Sequence, residues 1–120
     1  MKFDLEDRLV DFSALVLTLS EHLPDNRACN HLAGQMIRSC TSPTLTYGEA
    51  QSAESTRDFI HKLRLALKEL RETRLAMKIV ERKKYVQDES LMQKSMKEGE
   101  ELIAIFAKSI ITAIKNSKGK

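Results

Sequence analysis

The spacing of apolar residues near the start of the chain leaves little freedom of fold. In "DLEDRLVDFSALVLTLSEHLP", Leu5, Leu9, Phe12, Val16, Leu19 and Leu23 recur at intervals of 4, 3, 4, 3 and 4. That rhythm puts six side chains on one stripe of a helix of about five turns. Asp4 is a suitable N-cap, and Pro24 closes the segment. Val10 and Leu17 fall off the stripe and predict a second buried face.

The same reading continues along the chain. A second helix is expected from Asp25 or Asn26, carrying Leu32, Met36, Ile37 and Cys40 inward. Pro43 removes a backbone donor and crowds the preceding turn, which predicts a kink or short break near Thr41–Pro43, with helix resuming over 44–51. Ser55 and Asp58 form a capping-box pattern that opens a third helix. Phe59, Ile60, Leu63, Leu67, Leu70, Met77 and Val80 then run to about Tyr85. Ser90 and Gln93 suggest another capping box, opening a last helix that ends near Asn116. With only four Gly and two Pro in 120 residues, the chain has little punctuation for a many-stranded sheet. Four amphipathic helices joined by short turns predict an all-α protein, an antiparallel up-and-down four-helix bundle. Residues 1–116 read as one domain and 117–120 as a flexible basic tail.

From Leu102 to Ile114 only Lys108, Ser109 and Thr112 are polar. A bundle helix needs one apolar stripe, and a wider one marks a further contact. Ile103, Ile105, Ile110, Ile111 and Ile114 are therefore candidates for a subunit interface; the alternative is a tightly enclosed helix in a monomer.

Little catalytic chemistry is visible. There is no Gly-rich phosphate loop, Ser–His–Asp order or reactive-cysteine signature. Asp58-Phe59-Ile60-His61 is a single near match to the paired Glu-x-x-His ligands of di-iron bundles, so no metal or other cofactor is expected. Cys29 and His31 point in different directions from a helix and make a poor chelate; His22 lies near the same turn and could join them, the alternative being a solvated turn histidine. Eleven residues of helix separate Cys29 from Cys40 by about 16 Å, too far for a disulfide. No apolar run is long enough for a membrane span. The acidic start "MKFDLEDRLV" is unlike a secretory signal, and with reduced thiols this points to the cytoplasm.

Charge supplies a second candidate site. The formal net charge is +3, mildly basic, but the cations are not evenly spread. Arg64, Lys68, Arg71, Arg74 (or Leu75), Lys78 and Arg82 follow 3–4 spacing down the third helix, with Lys83 and Lys84 beyond. Such a stripe can follow a phosphate backbone. The alternative is a solvated face partly neutralised by Glu69, Glu72 and Glu81.

The stretch "QMIRSCTSPTLTYGEAQSAESTRDFIHKLRLALKELRET" resembles the signature region of four-helix-bundle proteins encoded in intervening sequences of bacterial 23S ribosomal RNA genes. Gln35, Arg38, Ser39, Ser42, Glu49, Ala50, Ser55, Phe59, Leu63, Ala66 and Glu72 fit its pattern. "RLVDF" and "EELIAIFAKSIITAIK" resemble the family's first and last helices. Pro43 and Thr46 depart from the Ile and Asn common at those places. The resemblance implies a bundle that assembles into a ring, a homopentamer, with no established enzymatic activity. Related bundles are accessory subunits of diversity-generating retroelements, binding reverse transcriptase and nucleic acid.

Arg38 and Glu49 lie three turns apart on one face, so each is expected to meet a different partner in a structural polar network with Glu69 and Glu72. Arg38 should reach one of those two carboxylates and fix helix register. On that view, Arg38→Met unfolds or disassembles the protein; a competing view has Arg38 lining a ligand surface. The reading as a whole is a non-catalytic scaffold or binding module, with RNA as the leading partner and a protein-only adaptor, docking for instance on a reverse transcriptase, as the alternative.

Overall fold

The protein is described here by a computed structural model covering residues 4–118. Four helices follow one another: α1 Leu5–Glu21, α2 Arg27–Gln51, α3 Thr56–Lys83 and α4 Glu89–Lys118. Each packs on its chain neighbours, and α1 closes the square against α4. The backbones of the diagonal pairs do not approach closely, so α1 and α3 occupy opposite corners of an up-and-down bundle.

The predicted apolar stripes form the core. Leu9, Phe12, Val16 and Leu19 of α1 meet Met36 and Cys40 of α2, Leu63, Leu70, Met77 and Val80 of α3, and Met92, Leu102 and Phe106 of α4. Two expected core positions lie outside it, and Leu17, like Leu23, Leu32, Phe59 and Ile60, packs against its edge. Val10 and Ile37 are exposed, because each stands just outside the arc its neighbours cover, and Leu17 is only partly buried. A square bundle gives each helix two neighbours, too few to cover a second apolar face.

Three of the helix starts are the expected ones. The side chains of Asp4, Asn26 and Ser55 accept from the backbone N–H groups of Asp7, Cys29 and Asp58. The fourth differs. Asp88, not Ser90, caps α4, accepting from the Leu91 N–H at 3.0 Å. Gln93 instead donates to Glu81 and Glu89. A carboxylate two residues upstream of Ser90 reaches the free N–H groups first and moves the start of the helix. At the other end α4 continues through Lys118, two residues into the segment read as a tail; Gly119 and Lys120 lie outside the described residues.

Pro43 does not break α2, which is continuous across it. An interior proline costs roughly 3 kcal/mol in an isolated helix, because a carbonyl loses its donor and the ring crowds the preceding turn. Here the neighbouring helix supplies bonds at that turn. The Ser13 hydroxyl of α1 donates to the Cys40 carbonyl at 2.9 Å, and Thr44 Oγ1 donates back to the Leu9 carbonyl at 3.2 Å. The opening thus becomes an α1–α2 junction, with Pro43 itself buried.

Helix α3 ends on Lys84, at φ 56° and ψ 40°. The Tyr85 N–H reaches the Val80 carbonyl and the Lys84 N–H that of Glu81, the bonding of a Schellman cap. This left-handed position strains any residue with a Cβ. Lys84→Gly is expected to raise unfolding stability by about 0.5–1 kcal/mol, read as a higher urea midpoint at unchanged slope.

Candidate nucleic-acid interface

A polar seam runs between α2 and α3. Lys62 donates to Glu49 at 2.8 Å, Arg38 reaches Glu72 at 3.4 Å and Gln35 at 3.0 Å, and the buried hydroxyls of Ser39 and Thr73 meet at 2.8 Å. Glu69 accepts from Ser42 and from Thr46, the latter at 3.4 Å. Arg38 and Glu49 do meet different partners, and Glu72 rather than Glu69 serves Arg38. Thr46 supplies a hydroxyl to Glu69.

The Arg38–Glu72 pair is largely exposed. The Arg38 side chain is 58% exposed and that of Glu72 39%. Such pairs contribute at most about 1 kcal/mol, because water screens the charges. Arg38→Met is therefore expected to stay folded with a loss below about 1 kcal/mol in urea unfolding. This replaces the unfolding anticipated from sequence.

The seam has a consequence for the basic stripe. Glu69 and Glu72 accept from α2, although Glu72 also borders the α3–α4 groove beside Arg71, while Glu81 accepts from Gln93 of α4. They do not neutralise the stripe by ion pairing. The described ion pairs are Arg8 with Glu98 and Glu101, Arg38 with Glu72 and Lys62 with Glu49. Among the described residues, none of Arg64, Lys68, Arg71, Lys78, Arg82, Lys83 and Lys84 has a carboxylate at ion-pair distance. All seven are exposed. Arg74 differs: it is half-buried, and its Nε has no partner. It turns off the outer row into the packing between helices, and the exposed Leu75 takes the outer position.

From Arg64 to Arg82 the row extends about 27 Å along one straight helix. Lys83 also lies 5.6 Å from the centre of the Tyr85 ring. Near this end Arg27 and His31 of α2 line a groove with Ile79, Lys83 and Tyr85.

The isoleucines of α4 separate into three kinds. Ile110 is buried in the core, with only an edge reaching the α3–α4 groove. Ile103, Ile105 and Ile114 are partly buried and pack against the core. Ile111 is 67% exposed. The breadth of the apolar surface on α4 thus has two causes, contacts within the bundle and a remainder facing outward.

Sequence reasoning missed Arg8, which binds Glu98 at 2.7 Å and Glu101 at 3.2 Å across α1 and α4. The acceptors hold its guanidinium above the ordinary arginine range. The signal available was a lone cation on an acidic helix facing two glutamates three apart. Burial raises the Cys40 thiol to about 11, which makes it a poor nucleophile. Among the described residues, no three His, Cys, Asp or Glu side chains gather to hold a metal ion, and no helix is long and apolar enough to cross a membrane.

The fold is a small all-helical bundle, and among the described residues a row of exposed cations without ion pairs runs along α3. Residues 2–113 match the family described as 23S rRNA-intervening sequence protein, and the chain belongs to that family. It is similar to a crystal structure of a protein of unknown function from the S23 ribosomal protein family of Bacteroides thetaiotaomicron VPI-5482. The two share 26% identity at a TM-score of 0.81, over 89% of this chain and 98% of the other. No curated protein matches the chain.

Proposed function

We propose that this protein is a non-catalytic, self-assembling scaffold of the cytoplasm that binds nucleic acid, RNA foremost, along the outer face of α3. The observation that carries the reading is the row of exposed cations whose neighbouring carboxylates are engaged elsewhere. An unpaired row of this length gains by releasing the counterions of a phosphate backbone. The self-assembly, five subunits by the resemblance to the family, draws on apolar side chains left outside the bundle, Ile111 among them.

The test is binding of a structured RNA followed by anisotropy across a salt series. Four phosphates neutralised would give a log–log slope of about −3 to −4. Lys78→Glu with Arg82→Glu should lower affinity at least about tenfold and flatten the slope, with the helical circular dichroism signal intact. A slope near zero, or affinity unchanged in that variant, overturns the reading. A protein partner is the second reading, favoured by Leu75 at 55% and Ile79 at 50% exposure among the cations. That contact would depend far less on salt.

A further inference from the structure

Helix α1 presents to solvent a face opposite in charge to that of α3. Asp7, Asp11 and Glu21 stand on it with Ala14, and Val10 among them is 49% exposed. Its cation, Arg8, is turned away to Glu98 and Glu101. Among the described residues, neither Asp7 nor Asp11 has a cation at ion-pair distance. Asp4, by hydrogen bonding and then by charge, holds the Asp7 carboxyl above its ordinary value, so the acids crowd one another.

On the far corner, α3 and α4 bound an open groove in two stretches that share Arg64. One, of about 800 Å³, has Ile60 and Ile114 in its lining, and the other, of about 540 Å³, has Leu67, Leu75, Ala107 and Ile110. Along the α3 side the cations Arg57, Arg64, Lys68 and Arg71 outnumber the carboxylates Asp58 and Glu72, and Ile111 stands one turn beyond Ala107 on the same side of α4. From Ile60 to Leu75 the groove is about 23 Å long, and the 17 residues of α1 span about 25 Å. An apolar trough whose edge carries more cations than carboxylates is complementary to a helix face that alternates acids with Val10 and Ala14.

We infer that α1 of one copy seats in the α3–α4 groove of the next, pairing Asp7 and Asp11 with Arg64, Lys68 and Arg71. The inference rests on the self-assembly proposed above and specifies its surface. Because α1 and α3 sit at opposite corners, one chain cannot satisfy itself, and the contact is head-to-tail, the geometry that generates rings. It also divides the basic row: the first half serves the neighbouring subunit, while Lys78, Arg82, Lys83 and Lys84 are left for the polyanion.

Charge reversal tests this directly, with mass read by light scattering and folding by circular dichroism. Asp7→Arg with Asp11→Arg should reduce the assembly to the 13.7 kDa chain. Arg64→Glu with Lys68→Glu should do the same, since each places like charges across the contact. Combining all four restores opposite charges and should restore the wild-type mass, which loss of fold would not allow. Lys78→Glu with Arg82→Glu should leave the mass unchanged. Full assembly in either reversed pair, or a folded quadruple variant that stays monomeric, overturns the inference and leaves the scaffold reading intact. A monomeric wild type overturns both.

Discussion

Phe106→Ala is expected to destabilise the bundle by about 3–5 kcal/mol, a large part of what a domain of this size has to lose. Phe106 is fully buried, and it meets the ring of Tyr47 edge-on, with centroids 5.8 Å apart. It sits where α1 is running out: α1 begins at Leu5 while α4 continues to Lys118. Beyond that level three helices share the work of four, and the Tyr47–Phe106 pair joins α2 to α4 there. Truncation removes the ring's transfer energy and leaves a cavity that shortened helix ends fill poorly. The aromatic pairing adds about 0.5–1.5 kcal/mol to the loss. Urea unfolding should show a much lower midpoint, and Phe106→Leu should recover more than half of the difference by restoring most of the volume. Equal losses from Leu and Ala would mean that edge-on geometry, not volume, dominates.

The sequence carried the periodic part of this architecture and left the tertiary part open. Six residues at 4–3 spacing specify α1 because a helix with that stripe has one face to bury, whatever covers it. The N-caps at Asp4, Asn26 and Ser55 were legible because the bonded N–H lies three residues away. Ser90 misled because a cap is a competition, and Asp88 wins it. Ile110 and Ile111 are adjacent, alike, and opposite in fate; periodicity cannot tell them apart on a helix that is apolar around most of its circumference. The neighbouring helix decides. The stripe's cations were visible in the sequence, but the direction of Glu69 was not. That depends on Ser42 and Thr46 of another helix, brought opposite by the packing across Pro43. The acid face of α1 is hidden in the sequence for the same reason: Arg8 offsets part of its charge until α4 supplies Glu98 and Glu101.

Gly99→Leu is the second large effect, about 3 kcal/mol of destabilisation and a weakened α1–α4 contact. Gly99 lies in the middle of α4, where glycine costs about 1 kcal/mol against alanine, so its presence needs a reason. A Cβ there would meet the Phe12 ring at 3.4 Å and the Met77 terminal methyl at 3.3 Å. The missing side chain lets α1 and α3 both approach α4 at one level. Leucine would put three further carbons into that space, forcing Phe12 from its rotamer or α1 away from the bundle. Alanine is the informative comparison. Its single methyl is tight, but Met77 is flexible and can shift by a few tenths of an ångström. Gain in helix propensity then offsets the crowding, and Gly99→Ala should fall within about 1 kcal/mol of the parent. If alanine cost as much as leucine, the Phe12 ring would be the rigid element, and the approach of α1 would be set by aromatic packing. If leucine were tolerated, α1 would be only loosely held on α4, and its acidic face would have no fixed orientation from which to engage a neighbouring subunit.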